Sequence, residues 1–285
     1  MKYGHPDTVP AKRPGGGVRG SDGTRTGSLL LEAGEGTVSC YRLSYGEGRG
    51  GAPINSPRHR HTFDQIRFIM SGEYEIADKV IPGGLVGYFP ESVHYGPQVI
   101  SSEVTILDVQ FGGASGLGYL TPKQLAAGRE SLLAEGKGTL ENGLYVTVDA
   151  NGKQHNQDAF EAVQQHIVGH RVDYAQPRYL DQVWMNPDSF EWVKDEHQPG
   201  VARKMLGEFT ERDVRSGFFS LEEGAELTFG TERASEIAFI NKGAISYDGK
   251  IHPRLTAFGT EAADNPEVLL ATEPTELLYM KLPTF

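Results

Sequence analysis

Two stretches of this chain repeat one another at a fixed spacing. Phe68-Ile69-Met70-Ser71-Gly72 is matched 171 residues later by Phe239-Ile240-Asn241-Lys242-Gly243. The offset persists without a gap to Lys79-Val80-Ile81-Pro82 and Lys250-Ile251-His252-Pro253. Each copy reads as a strand, a tight turn at the glycine and a returning strand. One Phe-Ile-x-x-Gly match could arise by chance; two matched segments at one offset predict a duplicated β-domain.

The rest of the pattern is compatible with two such domains. The 36 glycines and 16 prolines follow no short period, as expected for a turn-rich β protein. In the first copy, residues 28–113, strands are expected at 36–43, 59–70, 73–77, 84–89 and 104–111. In the second, residues 178–285, they are expected at 179–185, 217–221, 236–240, 244–247 and 276–282. The connector, 114–177, reads as partly helical. Pro122 sits in the first turn of a helix running to Leu133. Residues 158–170 put Phe160, Val163 and Ile167 on one helical face, which would pack on the barrels and cover one mouth.

Composition excludes several partners. A net charge of -11 argues against nucleic acid or an anionic membrane. A single cysteine, Cys40, forbids an intrachain disulfide and a multi-thiolate zinc site. No apolar run is long enough to span a bilayer, and the first 27 residues are polar and glycine-rich, so a cytoplasmic protein is expected. The glycine runs at 15–17 and 112–118 lack the Lys-Ser/Thr ending of a phosphate loop and read as joints.

The chemistry-bearing residues cluster in the first copy. In Arg58-His59-Arg60-His61-Thr62-Phe63-Asp64-Gln65, strand alternation turns His59, His61, Phe63, Gln65 and Arg67 to one side. Arg58 and Arg60 take the other side, toward solvent or an interface. Two imidazoles two residues apart, met by His94 from another strand, are a candidate divalent-metal site. Arg67 is a candidate fork for a substrate carboxylate, or else a rim ion pair. Asp108 and Gln110 share one face of their strand, and Gln110 is a candidate polar lining residue. Tyr74 and Tyr88 could each bring a hydroxyl near the metal, or pack. His166 and His170, spaced i, i+4, have no acidic residue between them and read as an exposed helix face.

These motifs resemble the cupin superfamily, specifically a two-domain bicupin. His59-x-His61, three residues, Gln65, six residues, Gly72 keeps the spacing of the first cupin motif, with Gln for Glu. Gly84, five residues, Pro90 opens the second motif; Ser92 replaces its glycine, His94 comes one residue early and Gln98 stands at the Asn position. The resemblance implies two antiparallel jelly-roll barrels with metal and substrate inside. It implies His59, His61 and His94 as ligands, with Gln65 as a neutral fourth ligand or a hydrogen bonder to a histidine. With no carboxylate the metal would keep nearly its full charge and favour an anionic or chelating substrate. The implied activity is that of an Fe(II) dioxygenase on a small aromatic, diketone or hydroxy-acid substrate, with Gln65 and Arg67 at the reacting centre and Arg67, Gln110 and Tyr88 as substrate contacts. Mn, Ni or Zn would suit the same imidazoles. A metal-dependent lyase, isomerase or decarboxylase, or a non-enzymatic binder, fits the same ligands. At the 171-residue offset His59 meets Gly230, His61 meets Glu232 and Gln65 meets Glu236. The second barrel is therefore expected to be metal-free, serving folding or homodimer contacts.

Overall fold

The computed structural model describes residues 1–9, 11, 25–33, 38–45 and 54–284. The glycine run at 15–17 and the start of the expected 36–43 strand lie outside the described residues. Four antiparallel sheets form two barrels. In the N-terminal barrel the large sheet runs Val183–Met185, Val86–Phe89, Phe63–Ser71, Val104–Gly112, Val38–Tyr45, Arg25–Ala33. It faces a small sheet of Ile54–Ser56, Gln98–Ile100, Glu73–Ile76 and Lys79–Pro82. In the C-terminal barrel the large sheet is Lys2–Gly4, Ala257–Thr260, Glu236–Lys242, Thr275–Lys281, Arg215–Leu221, Val201–Glu208, Val193–Lys194. Its small sheet is Glu226–Phe229, Glu267–Ala271, Ala244–Tyr247 and Lys250–Pro253.

The repeat is visible residue by residue. Glu73–Ile76, Lys79–Pro82 and Val86–Phe89 recur at the same offset as Ala244–Tyr247, Lys250–Pro253 and Ala257–Thr260. Gly72 and Gly243 turn the chain with φ of +83° and +82°. A side chain there would meet the Glu103 carbonyl in one copy and the Pro274 carbonyl in the other, so only glycine suits either turn.

Strand alternation sorts side chains into two cores. Ile69, Tyr74, Ile76, Phe89, Tyr95 and Ile106 fill the N-terminal barrel, while Ala238, Ile240, Phe258, Leu269 and Leu277 fill the C-terminal one. The opposite faces of the two large sheets pack together through Ile66, Phe68, Tyr88, Val109, Phe209, Phe218, Phe239 and Leu278. Phe68 meets Phe218 edge-on at 5.9 Å, and Tyr88 stacks on Phe209 at 4.5 Å. This apolar seam joins the barrels.

Two elements depart from expectation. The strand expected at 179–185 in the second barrel appears as Val183–Met185 and pairs instead with Val86–Phe89 of the first. Trp184 drives this placement. Its ring packs on Phe89 at 5.4 Å, over Gly87, where a side chain would come within 2.7 Å of it. In return Lys2–Gly4 pairs with Ala257–Thr260 of the C-terminal barrel. The connector has the expected helices, Pro122–Ala134 and Ala159–Val168, but also a three-stranded sheet, Gly138–Glu141, Leu144–Val148 and Gln154–Asp158. No helix among the described residues is long and apolar enough to cross a membrane.

Candidate functional site

At the mouth of the N-terminal barrel, His59 and His61 precede the strand Phe63–Ser71. The His59 backbone exchanges two hydrogen bonds with Tyr95 at 2.9 and 2.8 Å, and the His61 carbonyl accepts from the Ser92 N–H at 2.8 Å. The two imidazoles lie edge to face, 5.0 Å apart. His59 Nδ1 is 2.6 Å from the Pro57 carbonyl, which can only accept, so Nδ1 carries the proton and Nε2 the lone pair. The connector covers this mouth. Phe160 meets His61 at 5.0 Å, Phe63 meets Tyr119 at 5.0 Å, and Gln164 Nε2 donates to Thr62 Oγ1 at 2.8 Å.

Beneath the histidines the barrel is filled by a polar network around Arg67, which is 8% exposed. Its Nε and Nη2 donate to Gln65 Oε1 at 3.2 and 2.7 Å, and Nη2 also to the Tyr95 hydroxyl at 3.2 Å. Nη1 donates to the Tyr74 hydroxyl at 2.6 Å and to Gln98 Oε1 at 3.0 Å. The guanidinium lies over the Phe89 ring at 4.2 Å and pairs with Asp108 across 3.7 Å. Burial opposes its charge, and the Tyr74 and Tyr95 hydroxyls with the Asp108 carboxylate more than offset that, holding the guanidinium above its ordinary value. Gln110 bridges from this network to the mouth, donating to Asp108 at 3.0 Å and accepting from Tyr119 at 3.2 Å.

Four expected roles are corrected by this geometry. His94 is exposed, and among the described residues it forms no three-residue metal-holding group with His59 and His61. Counting Pro90-x-Ser92-x-x brings Tyr95, not His94, to the family's third-histidine position, and it is Tyr95, 4% exposed, that faces His59 at 4.4 Å. The signal was in the sequence, as the one-residue shortfall before His94. Gln65 does face inward, but its amide oxygen is taken by Arg67 and its Nε2 donates to Tyr95 at 3.0 Å, so it presents no oxygen to a cation. Arg67 has its donors committed inside the barrel, neither at the rim nor toward a substrate. Tyr88 has the opposite strand parity: its hydroxyl donates to Asp64 at 2.8 Å in the seam between barrels, away from the mouth. Tyr74 serves the Arg67 network.

The donor set decides how a divalent metal would fit. Among the described residues, no three His, Cys, Asp or Glu side chains come together as a metal-holding group. His59 is oriented as metal-bound histidines are, with one ring nitrogen on a backbone carbonyl. His61 stands beside it. The residues present thus fit a cation as a pair of imidazoles, with the other coordination positions left to ligands that are not protein. Arg67 pairs with Asp108, so this pair offers no surplus negative charge to such a cation.

In the C-terminal barrel, Glu236 and Glu232 stand at the positions of Gln65 and His61. Glu236, 2% exposed, accepts from the Tyr279 hydroxyl at 2.6 Å and from the Glu232 N–H at 3.3 Å. Burial pushes its carboxyl up from the ordinary value, against the pull of those two donors. A cavity of about 740 Å³ opens beside it.

No protein-family profile matches the chain. No curated protein matches it. Solved structures do. One is a candidate dioxygenase from Nostoc punctiforme, 11% identical, with a TM-score of 0.64 over 99% of this chain and 82% of that one. Another is Streptomyces albus HEPD with 2-hydroxyethylphosphonate and Fe(II) bound, 12% identical, TM-score 0.54, over 99% and 76%. A Bacillus subtilis oxalate decarboxylase variant matches at 12% identity, TM-score 0.53, over 99% and 77%. At such identities the likeness concerns fold, and it runs through both barrels. The chain therefore has the two-barrel fold of these structures.

Proposed function

We propose that the chain is a metal-dependent cupin enzyme acting on a small, anionic, chelating substrate at the mouth of the N-terminal barrel. The observation that carries this reading is the His59–His61 pair, with His59 held by the Pro57 carbonyl in the tautomer a metal ligand needs. His59 and His61 would hold the cation, and the metal would polarise a substrate oxygen bound to it. Two neutral imidazoles hold a divalent ion weakly. An anionic chelate supplies both the missing donors and the missing charge, so metal and substrate should bind as a pair. Phe63, Tyr119 and Phe160 would exclude water and give a flat substrate an aromatic wall. Gln110, hydrogen-bonded to the Tyr119 hydroxyl, would orient a polar group at that wall. Arg67 acts from below, fixing Gln65 and Tyr95 in place.

The finer reading is an Fe(II) dioxygenase, in line with the candidate dioxygenase and the Fe(II)-bound enzyme among the structural neighbours. Equilibrium dialysis with Fe(II) or Mn(II), with and without catechol or oxalate, tests it. We expect retention to rise at least about tenfold with the chelator, and to vanish in a folded His59→Ala/His61→Ala variant. Oxygen uptake with catechols, hydroxybenzoates and diketones then tests the dioxygenase. Metal retained by the double variant would refute the assignment. Wild-type protein that takes up no metal even with chelator would leave the non-enzymatic binder, a reading the filled Arg67 interior favours.

A further inference from the structure

We propose that the C-terminal barrel carries a second ligand site, the cavity beside Glu236, which takes a small organic cation with an aromatic or aliphatic body. This site is independent of the reading of the N-terminal mouth. Its size, about 740 Å³, is that of a small-molecule pocket. Part of its lining can be placed by the repeat. Where the N-terminal barrel has Arg67 paired across the sheet with Asp108, this one has Ala238 paired with Tyr279. Where the first has His59, the second has Gly230. Tyr279, Glu236 and Glu232, at the positions of Asp108, Gln65 and His61, all line the cavity.

The lining specifies the ligand. Phe219, Leu227, Phe229 and Tyr279 form an apolar and aromatic wall. Five carboxyl side chains border the cavity, Glu191, Asp195, Glu208, Glu232 and Glu236, against two cations, Arg203 and Arg215. Arg215 is already engaged: it meets Glu208 at 3.1 Å, Asp213 at 2.6 Å and Glu232 at 3.4 Å. Lys281, behind the cavity, is bound to Asp213 and lies 3.6 Å from Glu232. Arg203 is exposed at the rim. An entering anion would meet surplus negative charge. An ammonium would meet Glu236 at the wall, with aromatic faces beside it that also attract cations. A buried carboxyl beside an apolar wall suits a ligand with one charged end and one greasy end.

Calorimetric titration of the full-length protein tests the proposal with three probes of one shape: tryptamine, tryptophol and indole-3-acetate. We expect saturable binding of tryptamine, at least about tenfold weaker in Glu236→Gln, which keeps the shape and removes the charge. Tryptophol should bind at least about tenfold more weakly than tryptamine, and indole-3-acetate more weakly still. His59→Ala/His61→Ala should bind tryptamine like wild type, separating this site from the mouth of the other barrel. If Glu236→Gln loses its far-ultraviolet circular dichroism, Glu232→Gln at the rim replaces it, and a several-fold loss is expected. The proposal falls if tryptamine does not bind, if the alcohol or acid binds as well, or if the folded Gln variant binds tryptamine unchanged.

Discussion

The two barrels share a frame and differ in what the frame encloses. From the strand Phe63–Ser71 to the strand Val104–Gly112 the second barrel follows the first at one offset, and the cross-strand pairs correspond. Yet the pair Arg67–Asp108 becomes Ala238–Tyr279, and the pair Gln65–Gln110 becomes Glu236–Lys281. The first substitution removes the buried ion pair and puts Tyr279 on the cavity wall. The second turns a neutral amide pair into a charged one. The two barrels share the strand pairing that makes a barrel and differ at a few inward positions.

The largest expected effect comes from exchanging those positions. Arg67→Ala leaves Asp108 buried without its cation and strips donors from Gln65, Tyr74, Tyr95 and Gln98. We expect a loss of about 3–5 kcal/mol, measured by urea unfolding. Adding Asp108→Tyr installs the pair the C-terminal barrel uses, and places a hydroxyl where it can reach Gln65 as Tyr279 reaches Glu236. The double variant should recover more than half of the loss. If it stays as unstable as Arg67→Ala, the two interiors are not interchangeable, and the ion pair is a requirement of the first barrel.

What the sequence made legible follows the same division. The repeat, the strand alternation and the inward parity of Gln65 and Arg67 are local patterns, and the strands that carry them lie close to where they are expected. The helices at Pro122–Ala134 and Ala159–Val168 announced themselves by a proline in the first turn and an apolar face. Val183–Met185 was assigned to the wrong barrel because its partner is some 95 residues earlier and no local pattern names it. The three-stranded sheet of the connector was invisible because it is largely exposed and lacks clean alternation. The Arg67 network could not be read because parity gives direction but not partners. The cavity could not be read because its wall gathers residues far apart in the chain, from Phe190 to Tyr279.

A smaller effect would sharpen the comparison at the seam. Asp64 of the first barrel corresponds to Ser235 of the second. Asp64 is buried between the barrels, accepting from the Tyr88 hydroxyl at 2.8 Å and the Glu91 N–H at 2.7 Å. Burial, opposed by those donors, pushes its carboxyl from 3.8 up to about 7. The folded chain therefore holds a proton that the unfolded chain has lost between those values. The stability this contributes is complete below about pH 4 and is lost as pH rises through about 7. Asp64→Asn cannot ionise. Its stability relative to wild type should climb between pH 4 and pH 7 by up to ~1.4 kcal/mol per pH unit. A flat difference across that range would mean that Asp64 is already ionised in the folded protein.

The smallest effect bears on another contrast between the barrels, the cover over the first barrel's mouth. The helix Pro122–Ala134 begins at a capping box: Thr121 Oγ1 accepts from the Gln124 N–H at 3.2 Å, and Gln124 Oε1 accepts from the Thr121 N–H at 2.9 Å. It packs on Ala159–Val168 through Leu132, Val163 and Ile167, and that second helix carries Phe160 over His61. Thr121→Ala removes half of the box, at a cost of about 1 kcal/mol. That is too little to unfold the chain but enough to raise the population with a loosened cover about fivefold. Amide exchange across both helices should quicken, and His61 should react faster with diethyl pyrocarbonate, while tryptamine binding beside Glu236 stays unchanged. If His61 reactivity did not respond, the connector would not gate the mouth, and the contrast between a covered and an uncovered barrel would be one of shape alone.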